Sequence, residues 1–217
     1  FALGLLCRAN GDYSTAMGER SYSNGINSFA IGYNIKAKSY AGTVLGMYND
    51  TLDNPGGLPS STDRIFQIGN GIASVLSNAM TVLKNGNIGL ANKYTPAYPL
   101  SFEEATGGKI SFWQNGTNHY GIGIQSSLLQ FFTDGSGADI AFGYGSSTAF
   151  SENMRIKGNG NVGIGVDPTT GNKLQVNGKT QTTNFQMTSG GTTNFILRSD
   201  AAGNASWVNP NTIFSAS

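Results

Sequence analysis

Apolar residues recur at a fixed interval in the first quarter of the chain, with small or polar residues between them. The apolar positions are Leu3, Met17, Ile31 and Leu45, and a glycine follows each of them, at positions 4, 18, 32 and 46. This 14-residue interval is too short for a helical-pair repeat, which needs more than about 30 residues. It suits one coil of a β-solenoid, in which short strands alternate with turns. We therefore predict a β-roll over residues 1–46, with the apolar residues stacked as a ladder.

The periodic pattern stops after residue 46, and a different repeat begins further along. Residues 47–64 are rich in Asp, Asn, Pro, Gly and Ser, which is typical of loops, so we predict a neck or linker over 47–80. Residues 82–90 then resemble residues 155–164, with Asn85 matching Asn159. A proline-containing turn and a short apolar run follow each segment. We therefore predict two related β-modules, at 81–153 and 154–217.

Hairpin signals occupy the second half of the chain. Asn115-Gly116 separates two alternating runs and predicts an antiparallel pair of strands over residues 110–124. Asp134-Gly135 separates residues 129–133 from residues 139–142, and we predict a second hairpin there. A third, short hairpin is predicted from residues 195–197 and 200–207. No segment has the periodicity of a stable helix.

The composition narrows the fold class to all-β. Charged residues make up 12% of the chain, against about 25% in typical globular proteins, and 31 of its 217 residues are glycine. A net charge of +1 argues against a nucleic-acid-binding module, which needs a clustered basic excess. No apolar run approaches the length of a membrane-spanning helix, and one cysteine cannot form an internal disulfide. Because Phe1 falls in the middle of a repeat, we expect a piece of a longer protein or a processed protein.

The predicted β-roll is too small to be stable alone. Each 14-residue coil carries few apolar side chains, so three or four coils bury little hydrophobic surface. Aromatic side chains such as Tyr13, Phe29 and Tyr33 would be left outside a single roll. Self-association that covers these faces is the expected remedy, and the sequence therefore predicts an oligomer.

Two parts of the chain resemble known families of fibrous surface proteins. The 14-residue repeat, seen in residues 13–18 and 27–32, resembles the head repeats of YadA-like trimeric autotransporter adhesins. Residues 154–165, 173–178 and 197–207 resemble phage tail fibres and related fibre proteins of Bacteroidetes, a resemblance that extends over 81–217. Together they imply an all-β homotrimeric fibre, with a left-handed β-roll followed by small β-hairpin modules.

The predicted binding site lies in the first hairpin. Aromatic residues concentrate between positions 112 and 144, and asparagines lie beside them. Sugar sites use an aromatic ring for the apolar face of a sugar and amide groups for its hydroxyls. We predict a receptor- or glycan-binding site formed by Trp113, Asn115, Asn118, His119 and Tyr120. The alternative, that these rings fill a core between three chains, stays open.

Catalytic and metal chemistry have little support in the sequence. His119 is the one histidine, and neither a nucleophile elbow nor a metal-ligand cluster accompanies it. The candidate carboxylates for cleaving a sugar are Glu103, Glu104, Asp134 and Asp139. The first two are adjacent and would point to opposite faces of a strand, whereas the last two flank a glycine-rich turn. We predict no enzymatic activity, no cofactor and no bound metal.

These patterns predict a trimeric, extracellular, tail-fibre-like segment that attaches to a surface receptor, a glycan in particular, by multivalent binding. The expected partners are two further copies of the chain, a surface glycan or host receptor, and other fibre or baseplate subunits beyond the termini. Nucleic acid and membrane insertion are not expected. The expected location is a virion, an injection system or a cell-surface appendage. A purely structural filament subunit and a fibre-borne glycan depolymerase remain alternatives.

Overall fold

The computed structural model describes residues 1–53 and 58–213. Within these ranges the chain forms twenty β-strands and one short helix, so the predicted all-β class is confirmed. The chain divides into two compact units, residues 1–132 and 133–217.

A β-solenoid opens the first unit. Its longer strands are β1 (Ala2–Leu5), β3 (Thr15–Glu19), β5 (Phe29–Tyr33) and β7 (Thr43–Met47). Its shorter strands are β2 (Arg8–Ala9), β4 (Tyr22–Ser23) and β6 (Lys36–Ala37). Each set forms a parallel sheet in which every residue pairs with its equivalent in the next coil, one sequence repeat further along. The predicted ladder is confirmed, because Leu3, Met17, Ile31 and Leu45 pair in that order.

Small side chains fill the interior of the solenoid. Ala16, Ala30 and Val44 point inward from the longer strands and are fully buried. Ser23 and Ala37 do the same from the shorter strands. Because the two sheets of one coil lie close together, small residues fill most of the space between them, and Ile35 is the largest side chain buried with them. The larger apolar residues of the same strands therefore point outward.

Two tight turns per coil reverse the chain. Non-glycine residues with positive φ recur seven residues apart, namely Leu6, Arg20, Asn34 and Tyr48 at one turn and Tyr13, Asn27 and Ala41 at the other. This conformation costs roughly 1–2 kcal/mol per residue. Hydrogen bonds between coils offset the cost: the amide of Asn34, for example, donates to the Glu19 carbonyl at 2.9 Å.

The recurring glycines are required by close contact between coils. Gly18 has a φ of +109°, and a Cβ placed on it would overlap the carbonyl oxygen of Gly32. Gly4 and Gly32 make the same contact with the glycine of the following coil. Neighbouring backbones therefore approach too closely at this position for any side chain.

The sheet of the longer strands continues past the repeats. Strand β8 (Arg64–Asn70) pairs in parallel with β7, and β9 (Asn78–Leu83), β10 (Ile88–Leu90) and β11 (Leu100–Phe102) follow. Gly69 lies opposite Gly46, so the glycine contact is kept although these two glycines are further apart in sequence than those of the repeats. Residues 47–80, predicted as a neck, thus contribute a strand to the solenoid sheet, whereas residues 54–57 lie outside the described residues. The predicted domain boundaries stay predictions.

A separate three-stranded antiparallel sheet completes the first unit. It consists of β12 (Gly107–Asn115), β13 (Asn118–Gln125) and β14 (Leu128–Phe132). The hairpin predicted at Asn115-Gly116 is confirmed by the pairing of β12 with β13.

The second unit contains a four-stranded sheet and a two-stranded one. The first has β15 (Ile140–Ser146), β16 (Ala149–Ile156), β17 (Val162–Ile164) and β18 (Leu174–Val176). The second has β19 (Ile196–Ser199) and β20 (Ala205–Val208), which confirms the predicted terminal hairpin. A single helical turn, α1 (Pro210–Ile213), follows.

The hairpin predicted at Asp134-Gly135 was wrong. Strand β14 pairs with β13, and β15 pairs with β16, so the two runs flanking Asp134-Gly135 belong to different sheets. The turn signal was real, since Ala138 N donates to the Gly135 carbonyl at 3.1 Å. A local turn determines that the chain reverses, but long-range pairing determines which strand each run joins.

The repeat that relates residues 82–90 to residues 155–164 extends over four strands. Strands β8–β11 and β15–β18 have the same order and the same sequence of antiparallel and parallel pairings. Every register is preserved: Phe66 pairs with Val82 as Ile140 pairs with Ile156. The second of the two bulges in the β8–β9 pairing is also repeated, after Ile68 and after Phe142. The repeated unit therefore begins at β8 and β15, ahead of the point where the sequence resemblance starts.

Candidate functional site

The β12–β13 hairpin brings four of the five predicted site residues to one side. Trp113 lies opposite Tyr120, with ring centroids 4.9 Å apart, and Asn115 lies opposite Asn118 at the end of the hairpin. Because side chains alternate along a strand, Asn118 and Tyr120 share a face of β13. The Trp113 side chain is 45% exposed, so the ring pair is accessible. The arrangement is an aromatic plate with two amides beside it.

His119 lies on the opposite face of the sheet. It pairs with Gln114, its ring meets the edge of Phe132 at a centroid distance of 5.0 Å, and its Nδ1 lies 3.2 Å from the Thr117 carbonyl oxygen. Adjacent residues on a strand point to opposite sides. The structure therefore separates His119 from the plate formed by Trp113 and Tyr120.

The two faces of this sheet differ in character. The aromatic face carries large apolar side chains, namely Ile110, Trp113, Tyr120, Ile122, Ile124, Leu129 and Phe131. The glycine face carries Gly108, Ser111, Gln114, His119, Gly121, Gly123, Gln130 and Phe132. On the latter, the Phe132 ring lies over the bare backbone, and a Cβ placed on Gly121 or Gly123 would come within 3.3 or 3.2 Å of it.

A shallow cavity opens beside His119. It has a volume of about 260 Å³, and Gly108, Lys109, Ser111, Gln114 and His119 line it together with Ile110. Its polar groups are one ammonium, one hydroxyl, one amide and one imidazole. Such a set can donate hydrogen bonds to a small polar ligand, and no carboxylate lines the cavity.

Of the four candidate carboxylates, Glu103, Glu104 and Asp139 make ion pairs or hydrogen bonds. Glu104 accepts from Lys93 Nζ at 2.6 Å, which lowers the pKa of Glu104. Asp139 accepts from the Gly158 amide at 3.1 Å and from Arg155 at 2.9 Å, and both interactions lower its pKa. A general acid needs a raised pKa. These two carboxyl groups are therefore poorly suited to protonate a glycosidic oxygen.

An apolar stripe runs along the outside of the solenoid. This outer ladder consists of Leu3, Met17, Ile31, Leu45 and Ile68, which pair in series across five strands. Leu3 is 54% exposed and Ile68 is 36% exposed, while the three between them are partly buried by one another. A continuous row of large apolar side chains on a surface is a feature of interaction sites.

A buried charge cluster that no sequence pattern predicted lies at the end of the solenoid. Arg64 lies 2.8 Å from Asp50 and 2.7 Å from Asp53, and all three are at least nine-tenths buried. Two carboxylates share one guanidinium there. Burial raises the pKa of both Asp50 and Asp53, and the charge of Arg64 lowers it by less than burial raises it. The three residues lie in a segment whose composition is typical of a loop, so no local pattern signalled their burial.

The described part of the chain has no helix long and apolar enough to cross a membrane. Residues 1–53 and 58–213 also contain no group of three or more His, Cys, Asp or Glu side chains placed to hold a metal ion.

The solenoid matches a known family model. Residues 9–34 match the YadA head domain repeat in two copies, from the end of β2 to just beyond β5. The predicted resemblance of the repeats to YadA-like heads is thus confirmed for this segment, which supports an adhesin-like, surface-exposed role. No curated protein sequence matches the chain significantly. The resemblance of residues 81–217 to tail fibres stays a prediction.

Proposed function

We propose that this chain is a segment of a homotrimeric extracellular fibre, tail-fibre-like in its second half, that attaches to a surface glycan by multivalent binding. The observation that carries the proposal is the outer ladder. It leaves large apolar side chains uncovered on a solenoid whose own interior holds mainly Ala, Ser and Val, together with Ile35. Three copies packed through this stripe would bury it. The match to YadA head repeats supports the same assembly.

The ladder can be tested through the mass of the assembly. Light scattering on the 217-residue chain should give three times 22.7 kDa. Ile31→Glu, at the centre of the ladder, should give a monomer, because burying an unpaired carboxylate between chains is costly. Tyr22→Glu, on the other solenoid sheet, is the matched control and should stay trimeric. A wild-type monomer with native circular dichroism would contradict the proposal.

The glycan site is proposed at the aromatic plate. The rings of Trp113 and Tyr120 offer an apolar surface to a sugar ring, and the amides of Asn115 and Asn118 lie within reach of its hydroxyls. Three such sites per trimer would multiply a weak single contact through avidity. The mechanism requires no catalytic group, which accords with a non-enzymatic adhesive role.

Two alanine variants separate the two faces of the hairpin sheet. Trp113→Ala should weaken glycan-array binding by tenfold or more, a loss of about 1.4 kcal/mol in the apparent binding free energy. His119→Ala, on the glycine face, should leave it unchanged. Equal losses of glycan binding in the two variants would mean that the glycan does not bind at the plate formed by Trp113 and Tyr120. A trimer that binds no glycan would favour the alternative of a purely structural filament subunit.

A further inference from the structure

Three of the four basic residues of residues 1–46, all except Arg20, lie on or beside the second sheet of the solenoid. Arg8, Tyr22 and Lys36 pair in register across β2, β4 and β6, and each points outward while its neighbour Ala9, Ser23 or Ala37 turns toward the interior. The next outward row is Asn10, Asn24 and Lys38, at the same 14-residue interval. We call these six side chains the basic face. It lies on a different sheet from the outer ladder.

The basic face is preorganised by contacts among its own members. Asn10 donates to Asn24 at 2.8 Å, and the Arg8 guanidinium lies 5.9 Å from the centre of the Tyr22 ring. Lys38 Nζ donates to the Thr51 carbonyl at 2.7 Å, which fixes its position. An open cavity of about 430 Å³ lies here, lined by Tyr22, Asn24, Asn34, Lys36, Lys38 and Thr51.

The charge of this face is uncompensated. Within residues 1–53 and 58–213, no carboxylate forms a salt bridge with Arg8, Lys36 or Lys38, and none lines the cavity. The carboxylate of Glu19 belongs to β3, in the other sheet. The net charge of +1 for the whole chain therefore conceals a local positive surface.

We propose that the basic face binds an acidic polysaccharide, a polymer of uronic acid or sulfated sugars, laid along the solenoid axis. Successive coils place equivalent side chains roughly 4.8 Å apart, so Arg8 and Lys36, which lie two coils apart, present two cations in series along the solenoid axis. Arg8 and Lys36 would bind the acidic groups, Asn10 and Asn24 the hydroxyls, and the Tyr22 ring the apolar face of a sugar. The proposal adds a second ligand surface to the proposed adhesin and requires neither the trimer nor the aromatic plate.

Other polyanions fit this surface less well. Single-stranded nucleic acid binds to series of aromatic rings on which bases stack, and the basic face has one ring. Anionic membranes favour surfaces with exposed apolar side chains that enter the lipid, and none of the six side chains is aliphatic. Neutral glycans have no group for the two cations to bind.

The test measures binding of the 217-residue chain to immobilised polygalacturonate, with dextran and single-stranded DNA as comparison surfaces. Binding to polygalacturonate should exceed binding to both and should weaken as salt rises from about 50 to 200 mM. The variant Arg8→Gln/Lys36→Gln should weaken it by tenfold or more. The matched control Lys179→Gln/Arg198→Gln removes the same charge from exposed residues of the second unit and should change it less than twofold.

Equal losses in the two double variants, equal binding to DNA, or no binding to polygalacturonate would each overturn the proposal. Rescue by Arg8→Lys/Lys36→Arg is expected, because charge and position are kept. Light scattering on the same samples separates this result from the proposed trimer, and Trp113→Ala should leave polygalacturonate binding intact.

Discussion

The two four-stranded modules share one backbone plan but differ in what surrounds it. In the first, β8 pairs with the last solenoid strand, and Asn49 of the preceding coil donates to Gln67 at 3.0 Å. In the second, within residues 133–213, β15 is the edge strand of its sheet. The equivalent strands β8 and β15 thus differ in position: β8 lies in the interior of a longer sheet, and β15 lies at the edge of its sheet.

Equivalent positions carry different chemistry in consequence. Gln67, Asn78 and Thr81 are almost fully buried, and Asn78 Nδ2 donates to both of the others, at 2.9 and 3.0 Å. The corresponding residues of the second module are Ala141, Glu152 and Arg155. There Arg155 binds Glu152 and Asp139 with its side chain one-third exposed. At these three positions the covered module uses a neutral network, whereas the uncovered one uses charges that water still solvates. The buried charge of the covered module is Arg64 at the start of β8, which is paired with Asp50 and Asp53.

The largest expected effect tests the shared plan. Gly89 and Gly163 are equivalent, and a Cβ on either would overlap a backbone carbonyl oxygen, that of Lys93 or Val166. Gly89→Ala and Gly163→Ala should each destabilise their unit by ~3 kcal/mol or more, measured by hydrogen exchange. Gly135→Ala is the control, since nothing lies within 4 Å of the added Cβ. Destabilisation by only one of the two substitutions would mean that Gly89 and Gly163 do not have equivalent roles.

A smaller effect should distinguish the two networks. Asn78→Leu removes the acceptor of the Asp50 amide and the donor to Gln67, leaving buried polar groups unpaired at a cost of ~2–3 kcal/mol. Glu152→Leu, at the equivalent exposed position, should cost much less. Denaturant unfolding followed by hydrogen exchange in each unit measures both. Comparable losses of stability in the two variants would mean that contact with the solenoid does not determine whether a module uses a neutral or a charged network.

Acid should act on the two modules in opposite directions. The pKa values of Asp50 and Asp53 are raised, so the folded state binds protons more tightly and local stability rises as pH falls from those values toward the unfolded value of about 3.9. The Gly158 amide lowers the pKa of Asp139, and Arg155 lowers that of Glu152. Their contribution is complete above the unfolded values of about 3.9 and 4.3 and is lost as pH falls through the lowered folded values.

Hydrogen exchange between pH 6 and pH 3 would show this contrast by unit. Asp53→Asn should reduce the acid-side gain of the first unit to the share contributed by Asp50, and Asp139→Asn should reduce the loss in the second unit to the share contributed by Glu152. Parallel pH profiles in the two units would contradict the assignment.

The smallest effect concerns the Asn-Gly pairs. In the equivalent turns, the amides of Gly86 and Gly160 donate to the carbonyls of Leu83 and Lys157. Deamidation requires that glycine nitrogen to attack the asparagine side chain, so both turns should be protected equally. Asn115-Gly116, whose glycine amide has no hydrogen-bond partner among the described residues, should deamidate faster in mild alkali, as peptide mass mapping would show.

The repeats were predictable because their signals are local. A glycine at the same place in every coil is required where coils touch backbone to backbone, and the asparagine-glycine turns of the two modules occupy equivalent positions. The covering of β8 was not predictable. It depends on the parallel pairing of β8 with β7, which are joined by a segment whose composition is typical of a loop. The burial of Asp50, Asp53 and Arg64 could therefore not be predicted from the sequence.

The candidate site shows the same division. The sequence by itself determined the hairpin and its aromatic residues. It left undecided which side chains share a face, because bulges in β12 between Gly108 and Ile110 and between Ser111 and Trp113 shift the alternation. With those bulges, Trp113 lies beside Tyr120 and away from His119. Local turn and spacing rules thus determined the elements, whereas register, faces and covered edges were decided only by tertiary pairing, since they depend on contacts between residues far apart in the chain.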